Sequence, residues 1–261
     1  VKEMNKKLIL FDVDGTVYDN NHKHIPASTI TALKALKSKG HELVIATGRA
    51  YFMLYSIEEI KPLIDHYILI NGQHILSGED TIYEDTVDKV SMNNLIKSME
   101  DIGVTYGFES AYHEAVSEIN DEVKSSFVKL NLNLPPENKN FHKQQKVYQM
   151  WCFCDEGKVE ILRKQNSDFD FVRWVTVGYD IIKKGQSKGK GINVLANYLG
   201  FKNEDIIAFG DGDNDIEMVQ GVGLGIAMGN GTERIKKVAD YITDDIDKDG
   251  IYNALKHFKL L

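Results

Sequence analysis

Two aspartates one residue apart, Asp12 and Asp14, close the apolar run Leu8-Ile9-Leu10-Phe11 in the stretch KLILFDVDGT. At strand period their side chains leave the chain on the same side. Two carboxylates about 4 Å apart repel by roughly 4 kcal/mol at an effective dielectric near 20. Such a pair calls for a cation or a shared proton. Asp14-Gly15-Thr16 alone is also ordinary turn chemistry, so the pair gains meaning from what stands elsewhere in the chain.

Far downstream, GDGDND supplies Asp211 and Asp215, four apart in a turn that leads into a helix and able to point the same way. Oxygen-only ligands in a compact acidic pocket suit Mg2+, which takes a few carboxylates together with water and substrate phosphate. The calcium loop of EF-hands, with its fixed Gly and terminal Glu, is absent. Asp213 reads equally well as surface charge. The run HELVIATGR ends in Thr47-Gly48-Arg49, where a hydroxyl, a Gly open to close approach and a helix N-terminus describe an anion site. Thr is an ordinary N-cap as well. Lys188, in GQSKGKG, is the one cation placed to answer the carboxylates, although a Lys in a Gly-rich loop is also common at surfaces. Four strand ends then carry a metal site, a nucleophile, a phosphate cradle and a neutralising Lys, the set that phosphoryl transfer needs.

Placing these residues together takes a doubly wound α/β sheet. Residues 8–11 read as a buried parallel strand, 27–39 as a helix capped by Ser28 or Thr29 and stopped at Gly40, and 43–46 as a second strand. A helix over 50–60 and a third strand over 66–76, ending at Asn71-Gly72, complete a β-α-β-α-β order. That is a Rossmann-like parallel sheet, whose ligands sit at the C-terminal strand ends. The pattern resumes with a helix after Ser187, a fourth strand ending at Gly210, and a short strand, helix, short strand and closing helix. Between them the character changes, with helices over 88–101, 120–131 and 157–166 and strands that come partly in adjacent pairs. We read 1–81 and 184–261 as the core and 82–183 as an inserted α+β cap with an antiparallel sheet.

With 31 Lys plus Arg against 39 Asp plus Glu, the net charge of −8 leaves no footprint for nucleic acid or an anionic membrane. No apolar run reaches membrane-spanning length, and the charged stretch VKEMNKK leads into a strand rather than a signal-peptide core, so a soluble, cytoplasmic protein is expected. Cys152 and Cys154 alternate in QMWCFCD and read as buried packing. His22 and His24 lie in a polar loop and read as solvated, since a hard cation prefers oxygen. GQSKGKG fails as a P-loop because Lys190 stands where Gly is needed. GVGLGIAMG has Met228 where a third dinucleotide-fingerprint Gly would fall.

Asp12-Val13-Asp14-Gly15-Thr16, Thr47-Gly48-Arg49, Lys188 and Gly210-Asp211-Gly212-Asp213-Asn214-Asp215 resemble the four ordered motifs of the haloacid-dehalogenase-like superfamily of phosphohydrolases. The cap of about 100 residues between the second and third motifs resembles that of the Cof-type subfamily with a type IIB cap. The resemblance implies that Asp12 attacks phosphorus to form an aspartyl-phosphate, while Asp14 serves as acid and then base. It implies Mg2+ held by Asp12, the backbone carbonyl of Asp14 and Asp211, with Asp215 as a ligand or a support behind them. Thr47, the Gly48 amide and Asn214 would hold the phosphoryl group, and Lys188 would offset charge between it and Asp12. The substrate would be a small phosphorylated metabolite, such as a sugar phosphate, pyridoxal phosphate or flavin mononucleotide. Arg49, Arg173, Lys183, Trp151 and Trp174 are available in and near the cap to read the leaving group. Two other outcomes share these residues: a phosphosugar mutase or phosphotransferase using the same intermediate, and a non-catalytic sensor of a phosphorylated ligand. A sensor needs neither nucleophile nor acid, and the complete set argues against it.

Overall fold

The computed structural model describes residues 6–261. In chain order the strands are β1 (Leu8–Phe11), β2 (Glu42–Ala46), β3 (His66–Leu69), β4 (His74–Ser77), β5 (Asp80–Glu84), β6 (Thr105–Glu109), β7 (Glu114–Val116), β8 (Gln149–Phe153), β9 (Phe169–Arg173), β10 (Gly178–Lys183), β11 (Ile206–Gly210), β12 (Leu224–Ala227) and β13 (Tyr241–Ile242). The α-helices are α1 (Ala27–Ser38), α2 (Lys89–Asp101), α3 (Asp121–Lys129), α4 (Glu156–Gln165), α5 (Lys188–Leu199), α6 (Ile216–Gly221), α7 (Glu233–Val238) and α8 (Gly250–His257). One eight-stranded sheet runs β13-β12-β11-β1-β2-β3-β4-β5, and one five-stranded sheet runs β7-β6-β8-β10-β9. The first is parallel from β13 through β3, the second antiparallel throughout. This is the α/β core with an inserted α+β cap.

The central strands are apolar at every position because helices cover both faces: Leu8, Ile9, Leu10 and Phe11 are all fully buried. Register does the positioning. Phe11 pairs with Phe209, their rings stack at 5.1 Å, and the Asp12 amide donates to the Phe209 carbonyl at 3.0 Å. Whatever follows these two strands must emerge side by side.

Several local expectations differ. The third strand stops at Leu69, because Ile70 and Asn71 both take φ near 51° and turn the chain into an antiparallel flap, β4 and β5. That flap runs to Glu84, so the expected junction at 81/82 falls inside β5. Residues Tyr51–Leu63 form an irregular 3-10 segment rather than an α-helix. Arg49 Nη1 takes the Met53 carbonyl that an α-helical Ile57 amide would use, and Ile57 has left helical geometry. At α1 neither Ser28 nor Thr29 caps; the chain enters from Pro26, whose carbonyl accepts from the Thr29 and Ile30 amides. Ser187 does cap α5, accepting from the Lys190 amide. Among the described residues no helix is long and apolar enough to cross a membrane.

Alternation in the cap sheet divides its two faces. Met150, Cys152 and Cys154 pack with α2 and α4 in one apolar cluster, while Gln149, Trp151 and Phe153 face the opposite way. Gly107 lies across from Trp151, and a Cβ there would stand 2.5 Å from the indole ring. Only Gly leaves room for that ring on the inward face.

Candidate active site

The ends of β1 and β11 meet at the N-terminus of α5. Lys188, in the first turn of that helix and fully buried, donates to Asp12 Oδ1 and to Asp215 Oδ1, each at 2.6 Å. Asp215 Oδ2 accepts from the amides of Asp211 and Gly212, each at 3.0 Å. Asp211 Oδ1 accepts from Thr16 at 3.1 Å. Two glycines make this density possible. A Cβ on Gly15, whose φ is +81°, would lie 2.2 Å from Asp211 Oδ2, and one on Gly210 would lie 2.6 Å from Asp215 Cβ.

Carboxylate oxygens of Asp12, Asp211 and Asp215 lie within 4.8 Å of one another. Burial pushes the Asp12 carboxyl up to about 7, with the Asp215 charge adding to the push and Lys188 opposing it. Asp211 is raised well above its ordinary value by burial and then by Asp12 and Asp215. Burial alone would lower Lys188; the two carboxylates beside it more than offset that and hold it above the usual lysine range. One ammonium is too little positive charge for three carboxylates, two of them buried, held this close. An all-oxygen donor set with excess negative charge fits a hard divalent cation.

Asp14 stands apart from this cluster. Its carboxylate receives Arg49 Nε at 2.9 Å, a second fork contact from Arg49 Nη2, and Asn20 Nδ2 at 3.0 Å. Arg49 was expected to be available to the leaving group, but it is buried and fully engaged, reaching the Leu130 carbonyl of the cap at 3.2 Å as well. It ties the core acid to the cap. Asn131 donates to the Asn20 carbonyl at 3.0 Å, and Tyr55 and the Asn133 amide form a further link at 2.7 Å.

A cavity of about 640 Å3 lies between the two sheets, lined from the core by Asp12, Asp14, Thr47, Gly48, Asp211 and Asn214. Thr47 is buried, and its Oγ1 accepts from the Arg49 amide at 3.2 Å. From the cap, Trp151, Trp174, Arg173 and Phe127 line the same space. Lys183 does not; it pairs with Asp85 at 2.6 Å, across the two chain segments that join the sheets. Arg173 is engaged by Glu156 at 2.9 Å and by the Tyr179 hydroxyl. Asp213 gives its carboxylate to Thr232 and Arg234, at 2.8 and 2.6 Å, in keeping with surface charge. His22 is exposed and pairs with Asp19.

Sequence reasoning missed a second buried acid cluster in this cavity. Gln149 Nε2 donates to the Gly48 carbonyl at 3.2 Å and to Glu109 Oε2, and Asn71 Nδ2 donates to Gln149 Oε1 at 2.9 Å and Asp180 Oδ2 at 2.7 Å. Burial raises Asp180 to about 7, with Asn71 opposing, and raises Glu109 well above its ordinary value, with the Asp180 charge adding to it. These residues come from four separate segments and carry no local motif. The one available signal was inward alternation at Gln149 beside the inward Trp151.

Comparison with known proteins places the chain in a family. Residues 9–255 match the family model of haloacid dehalogenase-like hydrolases. "Putative phosphatase YkrA" of Bacillus subtilis is 34% identical over 261 residues, covering 99% of this chain and all of that protein. The 5-amino-6-(5-phospho-D-ribitylamino)uracil phosphatase YitU of the same organism is 27% identical, covering 98% of each chain. Among solved structures, the subclass IIB sugar phosphatase BT4131 superposes with a TM-score of 0.92 at 34% identity, over 98% of this chain and all of that one. The chain belongs to the haloacid dehalogenase-like hydrolase family, within its Cof-type phosphatases.

Proposed function

We propose that this protein is a magnesium-dependent phosphatase of small phosphate monoesters that works through an aspartyl-phosphate on Asp12. The observation that carries the reading is the buried Lys188 ammonium 2.6 Å behind Asp12 Oδ1, where Asp12 lines a cavity together with Asp14, Thr47 and Gly48. Lys188 holds one carboxylate oxygen, orients the group and offsets charge where phosphate would add more. The other oxygen attacks phosphorus as the ester P–O bond breaks, and Asp14 delivers a proton to the departing oxygen. Asp14 then takes a proton from water, which attacks phosphorus, breaks the bond to Asp12 and releases inorganic phosphate. Arg49 positions Asp14 through its two-pronged contact.

Asp12, Asp211 and the backbone carbonyl of Asp14 would hold Mg2+, which when bound neutralises charge on the phosphoryl oxygens. Both oxygens of Asp215 are engaged, one by Lys188 and one by two amides, which favours a supporting role over direct ligation. The Gly48 amide and the hydroxyl of Thr47 would bind phosphoryl oxygens, with Asn214 beside them. The cap closes the site against water, tied down through Arg49 and Asn131. The test is release of inorganic phosphate from a panel of small esters, with and without Mg2+. Metal-dependent release that disappears in Asp12→Asn supports the reading; release that survives the substitution overturns the covalent route.

A further inference from the structure

The cap contributes two buried carboxyls to the cavity wall, and the phosphatase chemistry above uses neither. Glu109 is 1% exposed, and its Oε2 is taken by Gln149. Its Oε1 is buried without a hydrogen-bond partner, and the Ala50 amide lies near enough to the carboxyl to oppose its rise in part. A buried acceptor left open in a cavity wall is costly unless something fills it. Gln149 also fixes where Glu109 stands, because the same Nε2 donates to the Gly48 carbonyl of the phosphate loop. Glu109 is therefore one side chain removed from the place where the ester oxygen would lie. Trp174, on the same wall, has its Nε1 buried without an acceptor.

Charge narrows the ligand further. Glu109 and Asp180 are answered by the amides of Gln149 and Asn71, and among the described residues neither accepts a hydrogen bond from Lys or Arg. Of the cations lining the cavity, Arg49 is committed to Asp14 and Arg173 to Glu156, leaving Lys129 at the exposed rim. A second phosphate or a carboxylate on the leaving group would be buried beside two carboxyls with no Lys or Arg to answer it. An ammonium or hydroxyl would meet an open acceptor, and an ammonium would give Glu109 a charged donor that no Lys or Arg supplies.

We propose that Glu109, held by Gln149 and backed by Asp180, reads the leaving group, selecting esters that carry an amine or hydroxyl donor and no second anion. Trp174 Nε1 supplies the matching donor to an oxygen of the same group. The proposal rests on the phosphatase reading, and the two fail differently. Steady-state kcat/KM is measured for p-nitrophenyl phosphate, glucose 6-phosphate, glucosamine 6-phosphate and glucose 1,6-bisphosphate with Mg2+.

No turnover of any ester overturns the phosphatase reading, and this proposal with it. Turnover of p-nitrophenyl phosphate with neither hexose monophosphate accepted overturns the proposal alone. The expected wild-type result is glucosamine 6-phosphate above glucose 6-phosphate by about tenfold, and the bisphosphate below it by a similar factor, the scale of one charged hydrogen bond. In Glu109→Gln the amine-to-hydroxyl ratio falls to about one. A bisphosphate as good as the monophosphate, or a ratio unchanged in Glu109→Gln, contradicts the assignment. Should that variant not fold, the wild-type ranking still decides.

Discussion

The molecule buries acids on both walls of one cavity, and the two clusters are neutralised by different means. On the core wall, Asp12 and Asp215 hold the Lys188 ammonium between them, and with Asp211 beside them the three carboxylates are left with an excess of negative charge. On the cap wall, Glu109 and Asp180 take hydrogen bonds from the side-chain amides of Gln149 and Asn71 and, among the described residues, from no Lys or Arg. Burial raises Asp12 and Asp180 alike, to about 7, and what opposes the rise differs: the Lys188 ammonium at Asp12, the Asn71 amide at Asp180. The same residue type thus meets a buried cation on one wall and neutral side-chain donors on the other. Position in the fold, rather than residue identity, separates the two.

Breaking the core cluster gives the largest effect. Lys188→Met leaves two buried carboxylates uncompensated, and loss of a buried partner costs about 3–5 kcal/mol. Urea unfolding should show that loss in metal-free protein and a partial recovery on adding Mg2+, which supplies the missing positive charge. A stability loss that Mg2+ does not touch would mean that the carboxylates are not a cation site.

Arg49→Lys keeps the charge but loses the fork on Asp14 and the reach to the Leu130 carbonyl. We expect kcat to fall about 10- to 100-fold, the scale of a misplaced catalytic group. A fall in kcat/KM that resides entirely in KM would assign Arg49 to binding instead.

The pH response is shared by the two walls, and Mg2+ separates them. Asp12 and Asp180 each hold a proton to about 7, whereas an unfolded aspartate releases it near 4. Between those values the native state binds more protons than the unfolded chain, so metal-free stability falls as pH rises from about 4 to about 7. Mg2+ competes with the proton at Asp12, and its affinity should rise over the same range. Asp180→Asn is the gentlest change. At pH 5 it replaces a protonated acid by a neutral amide and should move stability by less than about 1 kcal/mol, while flattening the decline toward pH 7. Thermal unfolding at the two pH values checks this, and an unflattened decline would place the proton elsewhere.

What could be read without coordinates divides along the same line. The core residues stand in short contiguous runs at strand ends, so the period of Leu8–Phe11 and the acids after it sufficed to propose that Asp12, Lys188, Asp211 and Asp215 share one place. The parallel sheet and the inserted antiparallel module followed from alternation of element types. Glu109, Gln149 and Asp180 lie on three strands of the cap, and only the antiparallel register that sets Glu109 opposite Gln149 brings them together. No spacing announces that. Arg49 sat in a legible motif, yet its partner Asp14 is 35 residues away, and its bond to the Met53 carbonyl bends the very segment that helical period suggested. Tertiary hydrogen bonds, invisible in local pattern, overrode it.

The central claim is that Asp12 carries the phosphoryl group during turnover. Acid-quenched single turnovers with Mg2+, followed by peptide mass spectrometry, test it directly. The account predicts a transient phosphate on the peptide containing Asp12, absent in Asp12→Asn, that decays at the rate at which inorganic phosphate appears. Phosphate release with no phosphorylated peptide, or with the label on another residue, would contradict it.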